Sequence, residues 1–137
     1  MWWIYALLSA LFAAFTAILA KVGIKGINSD LATAIRTIFI LLIAWGIVFA
    51  RKEHAGISLL SKNNWLFLAL SGVATGLSWI FYFKALQLGK VSQVAPVDKM
   101  SVAIAIILSS LLLHEVITLK ILIGTILIIA GSIVIIL

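Results

Sequence analysis

Three stretches of this chain run without a charged side chain for about the thickness of a bilayer: Met1–Ala20, Asn63–Phe83 and Ile121–Leu137. A helix needs roughly 20 apolar residues, at about 1.5 Å each, to cross a hydrocarbon core of about 30 Å. One such run would suit a buried helix inside a soluble domain. Several within 137 residues would not, because too little polar chain remains to surround them. Composition agrees: 65% of residues are hydrophobic and 10% charged, against about 45–50% and about 25% in soluble domains. Lipid cannot satisfy the backbone, so spans of this length are helices. The chain reads as an all-α membrane protein, one domain of five transmembrane helices over about 2–20, 30–50, 64–86, 92–113 and 120–137.

Polar residues punctuate these spans. Lys21, Gly23, Lys25 and Gly26 close the first, and Asp30 is placed to cap the second. The longest polar loop runs from Arg51-Lys52-Glu53-His54 to Lys62-Asn63-Asn64. Gly89-Lys90-Val91-Ser92 makes a turn before helix four, which carries Pro96 in its first turns, and His114-Glu115 opens the last loop. Residues 1–20 lack a basic leader region and a small-x-small site before Lys21, so the segment is expected to be retained.

Several functions fall away. With no cysteine, disulfide frameworks and thiolate metal sites are excluded. His54 and His114 are isolated and outside the spans, so neither metal nor cofactor is expected. A net charge of +6 would suggest nucleic acid in a soluble chain, but here the cations sit at helix ends, among lipid headgroups. No glycine loop cradles phosphate, and no serine has histidine and carboxylate company at membrane depth. The chain is therefore expected not to be an enzyme.

Charge counting bears on orientation. Five spans would put the termini on opposite sides. Arg51, Lys52, Lys62 and Lys120 then share one side, and Lys21, Lys25, Lys84 and Lys90 the other, or three cations if Lys84 lies within the membrane. The positive-inside rule acts on a difference, and here it is zero or one. Either the first helix holds a weakly biased chain one way round, or copies insert both ways and pair antiparallel. Small residues add to the second reading. Gly72-Val73-Ala74-Thr75-Gly76 allows close helix approach, with packing inside one chain favoured there. Gly124 with Gly131, and Thr125 with Ser132, recur at seven in helix five. That glycine heptad resembles the dimerisation helix of small multidrug resistance transporters, and Gly124 and Gly131 are expected at a dimer interface.

Arg36, Asp98 and Lys99 lie within spans, where an ionised side chain costs at least about 2.5–3.5 kcal/mol at a helix centre. Arg36 and Lys99 have stems long enough to snorkel. Asp98 does not, and needs a proton, a cavity or a partner. Adjacent helix positions point about 100° apart, so Lys99 is not expected to face it and Arg36 is the first candidate. Ser71, Thr75, Ser78 and Tyr82 recur along one face of helix three, with Trp79 three positions before Tyr82. Such a stripe either bonds back to its own helix or lines a cavity for an organic solute. The expected solute and ion site is Arg36, Ser78, Trp79, Tyr82, Asp98 and Lys99.

The run Tyr82-Phe83-Lys84-Ala85-Leu86-Gln87-Leu88-Gly89, then Val94-Ala95-Pro96, then His114-Glu115-Val116-Ile117-Thr118 resembles the EamA family of the drug/metabolite transporter superfamily. That family typically shows an aromatic-x-Ala-Leu turn, an Ala-Pro opening helix four, and Gly-Glu-x-Leu-Thr after it. Ala32-Thr33-Ala34-Ile35-Arg36-Thr37 and Pro96-Val97-Asp98-Lys99-Met100-Ser101 look like its single-repeat, five-helix branch. Most members carry two such repeats in inverted orientation, so the resemblance implies an antiparallel homodimer rebuilding ten helices. His114 stands where a glycine is usual, read as tolerated loop variation. The small multidrug resistance relatives use a carboxylate in helix one, where this chain offers only Ser9 and Thr16, so Asp98 is the remaining intramembrane acid. Taken together, these features are read as a secondary transporter that exports small metabolites such as amino acids by alternating access. Multidrug or cation efflux, and a non-transporting membrane assembly subunit, are the alternatives.

Overall fold

The computed structural model describes residues 1–137, and it is entirely helical. Helix α1 spans Trp2–Gly23 and α2 Ser29–Ala50; a 3₁₀ helix, Glu53–Leu59, precedes α3, Lys62–Leu88. Then follow α4, Val91–Asp98, α5, Ser101–Leu112, and α6, Leu119–Ile136. Five stretches are long and apolar enough to cross a membrane, with α4 and α5 together making one of them.

That fourth span departs from the single helix expected over 92–113. Pro96 has no N–H to donate and crowds the preceding turn. Just beyond it the hydrogen bonds tighten to the i→i+3 pattern: Lys99 N–H reaches Pro96 O at 3.1 Å, and Met100 N–H reaches Val97 O at 3.0 Å. The α-helix stops at Asp98 and restarts at Ser101.

Other ends are set by local chemistry. Asn28, rather than Asp30, caps α2: its side-chain oxygen accepts from Asp30 N at 2.8 Å and Leu31 N at 3.3 Å. Asp30 instead lies in the first turn, where a carboxylate favours the helix dipole. Gly26 takes φ +77° in the turn after α1, a conformation that costs glycine little. His114, just past α5, has φ +56°. The left-handed region costs an ordinary L-residue roughly 1–2 kcal/mol, which explains why glycine suits this position. Thr118 caps α6, accepting from Ile121 N–H at 3.4 Å.

The chain forms two compact units, one of residues 19–87 and one of residues 1–18 with 88–137. In the first, the buried positions are Ile24, Ser29, Ala32, Thr33, Phe83 and Leu86. They gather the end of α1, the start of α2 and the end of α3. Lys21 Nζ donates to Leu86 O, a carbonyl of the last turn of α3, and Gln87 Nε2 donates to Ile27 O at 2.5 Å. In the second unit α6 packs on α4 and α5. The Ser132 hydroxyl bridges there, its one proton shared between Pro96 O at 2.9 Å and Ile128 O at 2.8 Å.

Apart from Ile24, Phe83 and Leu86, what is buried is small or hydroxyl-bearing, while many large apolar side chains, Phe39, Leu42 and Ile43 among them, are exposed. Soluble proteins sort the other way. Inside lipid the large apolar side chains already have an apolar solvent, and small residues and interhelical hydrogen bonds hold helices together.

Candidate functional site

Arg36 lies seven residues after the start of α2, about 10 Å along the helix at about 1.5 Å per residue. Its guanidinium carbon sits over the Trp79 ring at 4.4 Å from the centroid and over the Phe83 ring at 4.8 Å. Both lie inside the roughly 6 Å at which a cation is drawn to the negative face of a π system. Trp79 and Phe83 are four residues apart on α3 and so share a face. Phe83 is 2% exposed and fixed by packing, and Tyr82 lies edge-on to it, with centroids 6.3 Å apart.

Both rings lie within cation–π reach of the guanidinium, and no carboxylate of the chain forms an ion pair with it. A fork of N–H donors at membrane depth with no acid of the chain paired to it suits a carboxylate taken bidentate.

Asp98 does not meet the partner expected for it. Its Oδ2 lies 3.4 Å from Lys99 Nζ, with side-chain exposures of 35% for the acid and 57% for the amine. The expectation that adjacent residues point apart assumed a continuous helix. Asp98 is the last residue of α4 and Lys99 stands in the turn beyond, so the long lysine stem folds back. Arg36 for its part is compensated by ring faces rather than by an acid.

The hydroxyl stripe of α3 divides. Thr75 Oγ1 donates to Ser71 O at 2.9 Å, within its own helix. Ser78 is exposed, while Trp79 and Tyr82 are half-buried. Of the six expected site residues the structure joins Arg36 to Trp79, with Tyr82 beside the Phe83 ring, and Asp98 to Lys99. Phe83 escaped the sequence reading, although its place four residues after Trp79 would have found it.

The glycines also sort. A Cβ built at Gly124 or Gly131 meets nothing within 4 Å, whereas the neighbouring stripe, Thr125 and Ser132, is buried. A Cβ built at Gly72 or Gly76 likewise meets nothing within 4 Å.

The chain matches the EamA-like transporter family over residues 1–137. A Sinorhizobium protein described as an uncharacterized transporter in the cobO 3' region is 49% identical over 131 residues, spanning 96% of this chain and 93% of the relative. No solved structure matches. The aromatic-x-Ala-Leu segment supplies the ring and the core leucine of the first unit, and Pro96 the break in the fourth span. With the family match running from first residue to last, the chain belongs to the EamA-like transporter family.

Proposed function

We propose that this multi-pass membrane transporter carries small organic solutes bearing a carboxylate, amino acids and their relatives first among them, and that it exports them by alternating access in an antiparallel homodimer. The single observation behind the solute class is the Arg36 guanidinium over Trp79 and Phe83 with no carboxylate of the chain paired to it. A solute carboxylate takes its fork of N–H donors, and Trp79 and Tyr82 offer ring surface to the rest of the molecule. Asp98 exchanges Lys99 for a proton or a cation during the cycle, which couples solute movement to an ion gradient. The near-even distribution of loop cations and the outward-facing Gly124 and Gly131 support pairing of two copies in opposite orientations.

The alternative reading is a non-transporting assembly subunit whose intramembrane charges lock helices together. Reconstitution into liposomes separates the two. Amino acids presented singly, with a pH-sensitive dye inside, are expected to give solute-dependent proton flux for some members of the panel. No flux and no binding across acids, amines and neutral solutes would support the assembly subunit.

A further inference from the structure

The loop between α2 and α3 folds back on the helix it leaves. Lys52 takes a left-handed φ of 57°, and the 3₁₀ helix Glu53–Leu59 then runs against the end of α2. A tilted ring contact joins them, His54 lying 5.5 Å from Phe49 between centroids, and Phe49 in turn lies 5.6 Å from Trp45 along α2. Between the two helices lies a cleft of about 320 Å³, lined by Trp45, Val48, Glu53, Gly56, Ile57 and Leu60. That is the lower end of the range of small-molecule sites, about 300–1,000 Å³.

The ends of the cleft differ in chemistry. Trp45 precedes Ala50, the last residue of α2, by five residues, so the floor reaches about 7.5 Å below the end of α2, to the depth of acyl chains. The mouth carries Glu53, directly after Arg51 and Lys52 in sequence. None of these three charged side chains has an ion-pair or hydrogen-bond partner in the chain. Arg51 and Lys52 do not line the cleft but flank its mouth along the chain, so two cations stand beside the one lining anion at headgroup level, above an apolar slot.

We propose that this cleft holds one zwitterionic, amine-bearing phospholipid. Its phosphate lies by Arg51 and Lys52, its ammonium on Glu53, and the start of one acyl chain against Trp45, Val48 and Ile57. A net-anionic lipid would satisfy the two cations but set no cation against Glu53. A quaternary ammonium headgroup has no N–H to give the carboxylate. A water-soluble solute gains nothing from a floor already immersed in hydrocarbon, whereas a phospholipid matches charge above and chain below in one molecule.

The test is native mass spectrometry of the full-length protein released from micelles with equimolar phosphatidylethanolamine, phosphatidylcholine and phosphatidylglycerol. One phosphatidylethanolamine per chain should be retained in preference to the others. Glu53→Gln should reduce that preference about tenfold, the loss of one charge-assisted hydrogen bond. Gly56→Leu should abolish retention without unfolding, because a Cβ at Gly56 meets no atom within 4 Å and the added side chain fills the slot. Equal retention of the three lipids, a preference for phosphatidylglycerol, or a phosphatidylethanolamine preference that survives both substitutions overturns the proposal.

Discussion

Replacing Arg36 with lysine preserves the positive charge and removes two things particular to a guanidinium, its broad contact with the Trp79 and Phe83 rings and its fork of donors. Each ring contact is worth about 0.5 kcal/mol when exposed and about 2 kcal/mol when desolvated; Arg36 is half-buried against two. A hydrogen bond to a charged group contributes about 1.5–3 kcal/mol, and an ammonium cannot reproduce the parallel pair that a guanidinium makes to a carboxylate. Losing one of that pair predicts about 10- to 100-fold weaker binding of a carboxylate solute. The amide analogue of the same solute lacks the anion, so its binding should change little. The expected signature of Arg36→Lys is therefore a collapse of the acid-to-amide preference, measured as competition against a bound acid in reconstituted protein. Trp79→Leu keeps apolar volume and removes the ring, and should couple to Arg36→Lys by about 0.5–2 kcal/mol in a double-mutant cycle. An unchanged acid-to-amide ratio in Arg36→Lys, or single effects that simply add, would refute the clamp.

Other outcomes follow from features of the same structure. His114→Gly should raise stability by about 1 kcal/mol, read as a higher melting temperature in detergent, because it relieves a positive φ of 56°. Gly124 and Gly131 both changed to isoleucine should turn a detergent dimer into a monomer with unaltered helix content, a loss of about 1–3 kcal/mol by overpacking. C-terminal reporter fusions should report both faces of the membrane, and two or three lysines added beside the N-terminus should drive them to one. Asp98→Asn should cost no more than about 1 kcal/mol, because its partner Lys99 is exposed and free to relocate, yet it should abolish ion-coupled flux. A loss of about 3–5 kcal/mol, typical of a broken buried pair, would instead mark a locked helix contact.

The number of spans was legible because bilayer thickness imposes a length and lipid forbids unpaired backbone, and both constraints act on each segment alone. The interruption of the fourth span was not. Pro96 alone is compatible with the first turns of a helix, and what accompanies the break is a tertiary contact, the Ser132 hydroxyl taking the Pro96 carbonyl from 36 residues away. The α2 start shifted for a milder reason. Asn28 and Asp30 are both good caps two residues apart, and Asn28 is the one whose oxygen reaches two N–H groups.

The candidate site divides along the same line. Arg36, Asp98 and Lys99 stood out because charge at membrane depth is costly, a property of each residue by itself. Their partners depend on helix rotation and on a local break, which periodicity does not encode. The compensation found is ring faces of another helix for Arg36 and the next residue for Asp98. A cation set against π faces has no acid to give up, and an acid paired with a flexible, half-exposed lysine can release it. Charges compensated in this way can change partners without unfolding the helices that carry them, and a transport cycle requires that of its binding groups.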